Sequence, residues 1–367
     1  MRGYSDDRTS AAWRSAVELC GDVSAIEGPL AGHHHETYVI PLGAGCAGRR
    51  GAPPGRWKSR AARPGLVRFD RRSFVSEEDV VRALHRRVRR VPELIEVDGK
   101  GLQRFIEGAT LGQLHPADAA VPGHLVVQMV DVFRELASIR PRSVRLPRRG
   151  PAPEAVADGD SAAFLEGLIS YMEEHVQAAH ADEVGGLFRD LGVDDGATAR
   201  LRRFVSGLGE RPFCLVHGDL HRENLIVDAR QELWVIDWEL AMVGDPLYDL
   251  ATHLHLMRYP AWQERTVARL WSAAVSGVRP GGARGWGRDL PLLLGFKRAQ
   301  SVFTDIVRVA LALRGGAADP VGLLRDAVRL REVLDRGAVP LGLDSVPSVP
   351  VVAAALGRWC RGYAAAS

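Results

Sequence analysis

Three features of the sequence predict an α+β fold in two lobes. Up to about residue 107, short apolar runs alternate with turn signals, which is the pattern of an antiparallel sheet with one helix. From about residue 109 onward, apolar residues recur mostly at helical spacing. Inside that helical part, residues 213–239 (FCLVHGDLHRENLIVDARQELWVIDWE) again hold short strand-like runs, each ending near a polar residue. The expected division is residues 1–107 for the first lobe and 108–367 for the second.

Within the first lobe, Ala11, Trp13, Val17 and Leu19 space residues 9–20 as a short amphipathic helix on its outside. Residues 23–40 read as strand, turn, strand, with Gly28 and Gly32 in the turn. His33, His34 and His35 follow. Neighbouring strand residues alternate faces, so three adjacent imidazoles cannot easily share one ion. No Cys or carboxylate set at ligand spacing accompanies them, and they are taken as loop residues. Residues 43–55 are rich in Gly, Ala, Pro and Arg and read as a surface loop. Two strand candidates come next, RWKSR at 56–60 and LVRFD at 66–70, the second with the cleaner pattern. Ser76 caps a helix whose first turn carries Glu77, Glu78 and Asp79, acids favoured by the helix dipole. That helix is expected to run through Val80, Val81, Leu84 and Val88, with Glu77 on their inward face and Arg86, Arg87, Arg89 and Arg90 on the wet one. Residues 94–97 and 102–106 pair as strands around Asp98-Gly99, and 107–111 lead into the second lobe.

In the second lobe, Leu125, Met129, Phe133 and Leu136 mark one helix, and Leu165, Leu168, Met172 and Val176 another. Residues 141–160, rich in Pro and Arg, lie between them as a loop. Strands are expected at 213–216, 225–227 and 233–236. Helices are expected from 246 and around 261–277, 289–313 and 320–336, with Gly/Pro/Arg-rich breaks between the last three. No internal repeat is present.

The strands at 213–239 deliver Asp219, then Asn224 five residues later, then Asp237 thirteen residues after that. One carboxylate, one amide and a second carboxylate meeting in a small space supply what phosphoryl transfer needs: an acceptor for a hydroxyl proton and two oxygen ligands for Mg²⁺. HGDLHREN followed by IDWE resembles the catalytic and metal-binding segments of the aminoglycoside phosphotransferase (APH) family, whose fold is protein-kinase-like. In protein kinases the matching loop reads H-R-D-x-x-x-x-N and the metal aspartate opens D-F-G. Here Gly218 stands in place of the arginine and Trp238-Glu239 in place of Phe-Gly, which favours the small-molecule branch.

The resemblance implies a nucleotide-binding first lobe and a catalytic, substrate-binding second one. It implies Asp219 as the base, Asn224 and Asp237 as Mg²⁺ ligands, and ATP or GTP as donor. A strand residue should reach the phosphates and pair with a helix glutamate. The chain has three lysines, Lys58, Lys100 and Lys297, and its other 45 basic residues are arginine. Where arginine is the default, lysine marks places that need a compact ammonium, so Lys58 is preferred and Arg68 is the alternative. Glu77 is its expected partner, with Glu78 as alternative. Gly28 and Gly32 resemble a loop whose N–H groups cover phosphates, and Phe105, Ile106 and Glu107 occupy the hinge that would bind the adenine edge. His217 is expected to steady the loop, Arg222 and His221 to lie near the transferred phosphate, and Asp249 to accept hydrogen bonds from the loop backbone.

The net charge of +3 gives no case for nucleic acid. No apolar run approaches the ~20 residues of a membrane helix, and the first residues lack the apolar stretch of a signal peptide. The four cysteines are scattered without metal or redox spacing, as expected for a cytoplasmic protein. The expected function is phosphorylation of a small-molecule hydroxyl, with an antibiotic of aminoglycoside, nucleoside or peptide type as acceptor, in a monomer or homodimer. The alternatives are a metabolic kinase of choline, homoserine or sugar type, and a nucleotide-binding module without catalysis. The intact trio argues against the last.

Overall fold

The computed structural model describes residues 10–30, 32, 35–43, 53–63, 67, 69–149, 156–314 and 319–366. The first part holds α1 (Ala11–Cys20), β1 (His35–Leu42), β2 (Gly55–Ala62), α2 (Glu77–Leu84), β3 (Leu94–Val97) and β4 (Lys100–Arg104). The strands form one antiparallel sheet in the order β1-β2-β4-β3. Ser10 caps α1, its hydroxyl accepting from the Trp13 N–H at 3.0 Å. The apolar face of α1 (Ala12, Ala16, Leu19) buries against Tyr38, Ile40, Trp57 and Leu102, a small core of its own.

Three expectations change here. Residues 23–40 do not make a full hairpin. Residues 23–25 form one 3-10 turn, and a single bridge joins Glu27 to Val39. Pro29 has no N–H to extend the ladder, and Gly28 sits at φ 131°, where an added Cβ would lie 3.0 Å from the Thr37 carbonyl oxygen. The helix at 77 stops at Leu84, because Arg86 turns left-handed with φ 69°. The basic residues after it therefore lie in turns, although Val88 still packs inward. Val67, Phe69 and Asp70 form no strand, and Arg68 lies outside the described residues.

Crossing over, β5 (Gly108–Thr110) and α3 (Leu111–Leu114) lead to α4 (Gly123–Ser138), α5 (Ser161–Met172), α6 (Ala181–Asp190) and α7 (Ala197–Phe204). Four short strands follow: β6 (Cys214–Val216), β7 (Leu225–Asp228), β8 (Leu233–Val235) and β9 (Met242–Gly244). The chain ends in α8 (Pro246–Met257), α9 (Ala261–Val278), α10 (Trp286–Arg314), α11 (Pro320–Leu341) and α12 (Val349–Ala366). β7 pairs with β5 and β8, whereas β6 pairs with β9. The strands that precede Asp219 and Asp237 thus belong to two different small sheets, and β9 and α12 were not foreseen. The main core runs from Val80 and Leu84 of α2 through Phe133, Trp238, Leu250 and Trp271 to Phe296 and Leu356. No helix among the described residues is long and apolar enough to cross a membrane.

One buried ionic knot fixes the helices beneath the loop. Arg211, fully buried, donates from Nε to Asp245 Oδ1 at 3.0 Å, from Nη2 to Asp245 Oδ2 at 2.7 Å and from Nη1 to Asp289 Oδ2 at 2.5 Å. Asp245 is also the cap of α8, accepting from the Leu247 N–H at 2.8 Å. One guanidinium therefore joins the approach to β6 with the starts of α8 and α10.

Candidate active site

The loop after β6 is shaped by its backbone. Gly218 has φ 79°, and a Cβ there would lie 2.6 Å from the Leu240 carbonyl oxygen, so only glycine fits. Asp249 of α8 accepts the N–H groups of His217 at 3.1 Å and Gly218 at 2.8 Å. Burial pushes its carboxyl up to about 6, against the pull of those two bonds. His217 accepts the Asp219 N–H on Nδ1 at 3.2 Å, so Nε2 carries its proton and donates to the Ile236 carbonyl at 3.2 Å. Burial drives this imidazole down to about 4, leaving it neutral and structural at neutral pH.

Held this way, Asp219 is half-buried and faces a cleft. Asn224 Nδ2 donates to its Oδ2 at 3.0 Å and to its carbonyl at 2.9 Å, and His221 Nε2 lies 3.4 Å from the same Oδ2. Burial raises the Asp219 carboxyl, but His221, His217 and Lys297 outweigh it and hold the group below its ordinary value. The carboxylate is therefore ionised and can accept a proton. Arg222 does not face the cleft as expected. It is buried and donates to the carbonyls of Met257 at 2.7 Å, His115 at 2.5 Å and Ala119 at 3.0 Å, which occupies its guanidinium.

Asp237 follows β8, where the Ile236 N–H donates to the Asn224 carbonyl at 3.0 Å. Its φ of 64° is left-handed, a conformation non-glycine residues seldom take. Its Oδ1 is buried without a hydrogen-bond partner. Burial, then the charges of Glu77, Glu239 and Asp219, push its carboxyl up to about 8. A buried, crowded carboxylate with an unused oxygen is what a divalent cation would relieve. The Asn224 amide spends its donors on Asp219, and its oxygen is the face left for a cation. The residues present fit Mg²⁺.

The first lobe approaches from β2 and α2. Lys58 lies mid-strand, opposite Val39 and Gln103. Burial, then Arg60, pull its ammonium down to about 8, while the charges of Glu77 and Asp237 act the other way. The partner expected for Lys58 is taken by Arg60, two residues along the same face of β2. Arg60 Nη1 lies 2.9 Å from Glu77 Oε2, as an ion pair rather than an aligned hydrogen bond, and its Nη2 donates to Glu78 Oε1 at 3.2 Å. Glu77 Oε1 accepts the Trp238 N–H at 3.2 Å, so α2 is tied to the residue after Asp237. Arg72 pairs with Glu239. His35, Glu77 and Glu239 place one ligand atom each within 4.8 Å of one another. His33 and His34 lie outside the described residues.

The remaining candidates fall nearby with less chemistry in view. Gly28 is fixed by packing on Thr37 and Tyr38, and at Gly32 an added Cβ would be 3.5 Å from the His35 carbonyl. The Phe105 N–H donates to the Arg56 carbonyl at 2.9 Å, and Arg56 pairs with exposed Glu107 at 2.5 Å. Ile106 lies between the two sheets and belongs to neither.

Residue-by-residue reading missed Arg60, Arg72 and Glu239. Period-two spacing from Lys58 places Arg60 on the same face, and Glu239 was visible as the second acid of IDWE. Nothing local pointed to Arg72, whose partner is 167 residues away. On the other side of Asp219, α8, α10 and α11 line a cavity of about 420 Å³ that includes His255, Lys297, Asp305 and Arg308.

A family model, that of the APH phosphotransferase enzymes, matches residues 53–289. Among solved structures, a putative aminoglycoside phosphotransferase from Ralstonia eutropha JMP134 is 14% identical, with 90% of this chain and 97% of that one covered and a TM-score of 0.54. A choline/ethanolamine kinase family protein from Mesorhizobium loti is 16% identical, with 94% and 98% covered and a TM-score of 0.50. These likenesses are of fold, and the fold is the two-lobed kinase-like α+β arrangement.

Proposed function

The chain belongs to the APH phosphotransferase enzyme family, which makes it a phosphotransferase acting on a hydroxyl of a small molecule, and from that premise we propose that it uses Mg-ATP or Mg-GTP to phosphorylate an antibiotic. The observation that carries the reading is the adjacency of an ionised Asp219, which lines the cavity, its Asn224 partner and the crowded Asp237.

In this reading Asp219 accepts the hydroxyl proton of the acceptor, or orients that hydroxyl, from the cavity side. Asn224 and Asp237 would hold Mg²⁺, which when bound neutralises charge on the phosphate oxygens. Lys58 supplies a further positive charge, favoured by the nearby carboxyl groups of Glu77 and Asp237 and opposed by Arg60. Ile106 and Glu107, with Phe105, offer main chain to the base, and Gly28 and Gly32 border the phosphates. Residues 1–107 then serve the nucleotide and 108–367 the acceptor. Positioning and charge stabilisation suffice for a loose transition state, so no covalent enzyme intermediate is needed.

A screen for ATP and GTP consumption across hydroxylated antibiotics and metabolites, with mass spectrometry for an added phosphate, tests this. Transfer to an antibiotic, lost in Asp219→Ala with nucleotide binding kept, is the expected result. Transfer only to a metabolite replaces the antibiotic by a metabolic acceptor. An Asp219→Ala enzyme within tenfold of wild type removes Asp219 as base.

A further inference from the structure

The cavity beside Asp219 is rich in unanswered positive charge. Asp305, its most buried acid, is held by two guanidiniums: Arg308, and Arg329 from Nη2 at 2.9 Å. Asp70 accepts from Gln300 Nε2 at 2.9 Å, and Arg258 is paired with Asp118 at 2.6 Å. The side chains of Arg298 of α10 and Arg336 of α11, both lining the cavity, make no hydrogen bond or ion pair among the described residues. Against them stands one similarly unengaged acid of the lining, Glu332. Lys297, buried beneath, donates to the neutral Gln300 at 2.7 Å and lies 5.3 Å from the centre of the Tyr248 ring.

Two further observations agree in sign. His255 also lines the cavity, and burial together with Lys297, Arg298 and Arg336 drives its imidazole down to about 3, so it stays neutral. No Trp, Tyr or Phe lines the cavity, so it lacks the aromatic faces that hold a quaternary ammonium. A polycation entering here would meet unpaired guanidiniums and few free acids.

We propose that the acceptor carries an anionic group, a carboxylate or a phosphate, which Arg298 and Arg336 hold while a hydroxyl of the same molecule lies at Asp219. The proposal rests on the phosphotransferase reading above and names the charge class of its acceptor. Guanidiniums suit either anion, because their fork matches two oxygens at once.

Matched probes test it. One set is glucose, glucosamine, glucuronate and glucose 6-phosphate; the other is glycerol, serinol, glycerate and glycerol 3-phosphate. Binding is measured by saturation-transfer NMR on the full chain loaded with Mg-AMP-PNP, and phosphate transfer by mass spectrometry with Mg-ATP. The anionic members should bind at least about tenfold more tightly than their neutral and amino counterparts, a difference of about 1.4 kcal/mol. The carboxylate and phosphate arms say which anion is preferred. Arg298→Gln with Arg336→Gln should erase the preference without changing AMP-PNP affinity, and Glu332→Gln should enlarge it. Equal binding of all charge classes, no binding of any anion at millimolar concentration, a preference for the amines, or a preference surviving in the double variant would each overturn the proposal. If the double variant does not fold, the Glu332→Gln shift decides it. Asp219→Asn separates the two readings: transfer surviving in that variant sinks the catalytic assignment, while the charge preference in binding is judged independently.

Discussion

The side-chain amide of Asn224 donates to Asp219 Oδ2 at 3.0 Å and again to the Asp219 carbonyl at 2.9 Å. The candidate base and a candidate metal ligand are therefore one unit, and disturbing the amide disturbs both. Asn224→Ala should weaken Mg²⁺ activation about 10- to 100-fold, the usual range for losing a group that orients a metal site, and lower kcat with it. Titrating Mg²⁺ against initial rate checks this; an unchanged half-saturation point would remove Asn224 from the metal site.

Arg60, rather than Lys58, is the ion-pair partner of Glu77. If the pair sets the position of α2 against Trp238, Arg60→Ala and Glu77→Gln should each lower activity, and the double variant should be no worse than the poorer single one. Contacting residues show coupling of about 0.5–3 kcal/mol. Additive losses in kcat/KM would show that the two residues act separately.

Removing Arg211 leaves Asp245 and Asp289 buried without their shared counter-charge. Arg211→Met should cost about 3–5 kcal/mol of stability, the range for breaking a buried ionic group on one side. Urea unfolding followed by circular dichroism measures it. A loss below 1 kcal/mol would mean that Arg288, which donates to Asp289 Oδ1 at 2.6 Å, together with water or rearrangement, satisfies the two acids.

His253 gives a pH dependence of stability. Its Nδ1–H donates to the Leu220 carbonyl at 2.8 Å, and its Nε2 accepts from the Tyr259 hydroxyl at 2.9 Å, an arrangement that needs neutral imidazole. Burial lowers its folded pKa to about 4, from an ordinary value of 6.5. The unfolded chain therefore binds the extra proton first, and the stability this group contributes is full above pH 6.5 and lost as pH falls toward 4. Wild type should exceed His253→Gln in stability at pH 7.5, and the gap should narrow by about 2 kcal/mol at pH 5. A gap independent of pH would mean that His253 titrates in the fold as it does in the unfolded chain. Comparing the two proteins at each pH cancels the opposing titrations of Asp237 and Asp249, whose folded values are raised.

Much of this molecule was legible in order. Ser76 and the acids after it announced α2, Asp98-Gly99 announced the β3–β4 turn, and the helical stripes announced α4 and α5, because caps, turns and periodicity are local properties. The strand at 242–244 was not legible: three residues carry no period, and their partner is β6, about 28 positions earlier. The end of α2 was missed for a similar reason, since apolar spacing continued to Val88 although the backbone turned at Arg86.

By itself the sequence determined which polar side chains stand near Asp219, because those residues and their spacing within HGDLHREN and IDWE are written in one short stretch. Tertiary structure decided what surrounds them. It gave Glu77 to Arg60, which shares one face of β2 with Lys58. It turned Arg222 inward onto three carbonyls, and it crowded Asp237 with acids from α2 and from its own loop. It also brought Arg298 and Arg336 of α10 and α11 to one cavity wall without a carboxylate for either. Charge balance in a pocket depends on which side chains meet across helices. Spacing along a chain does not record that.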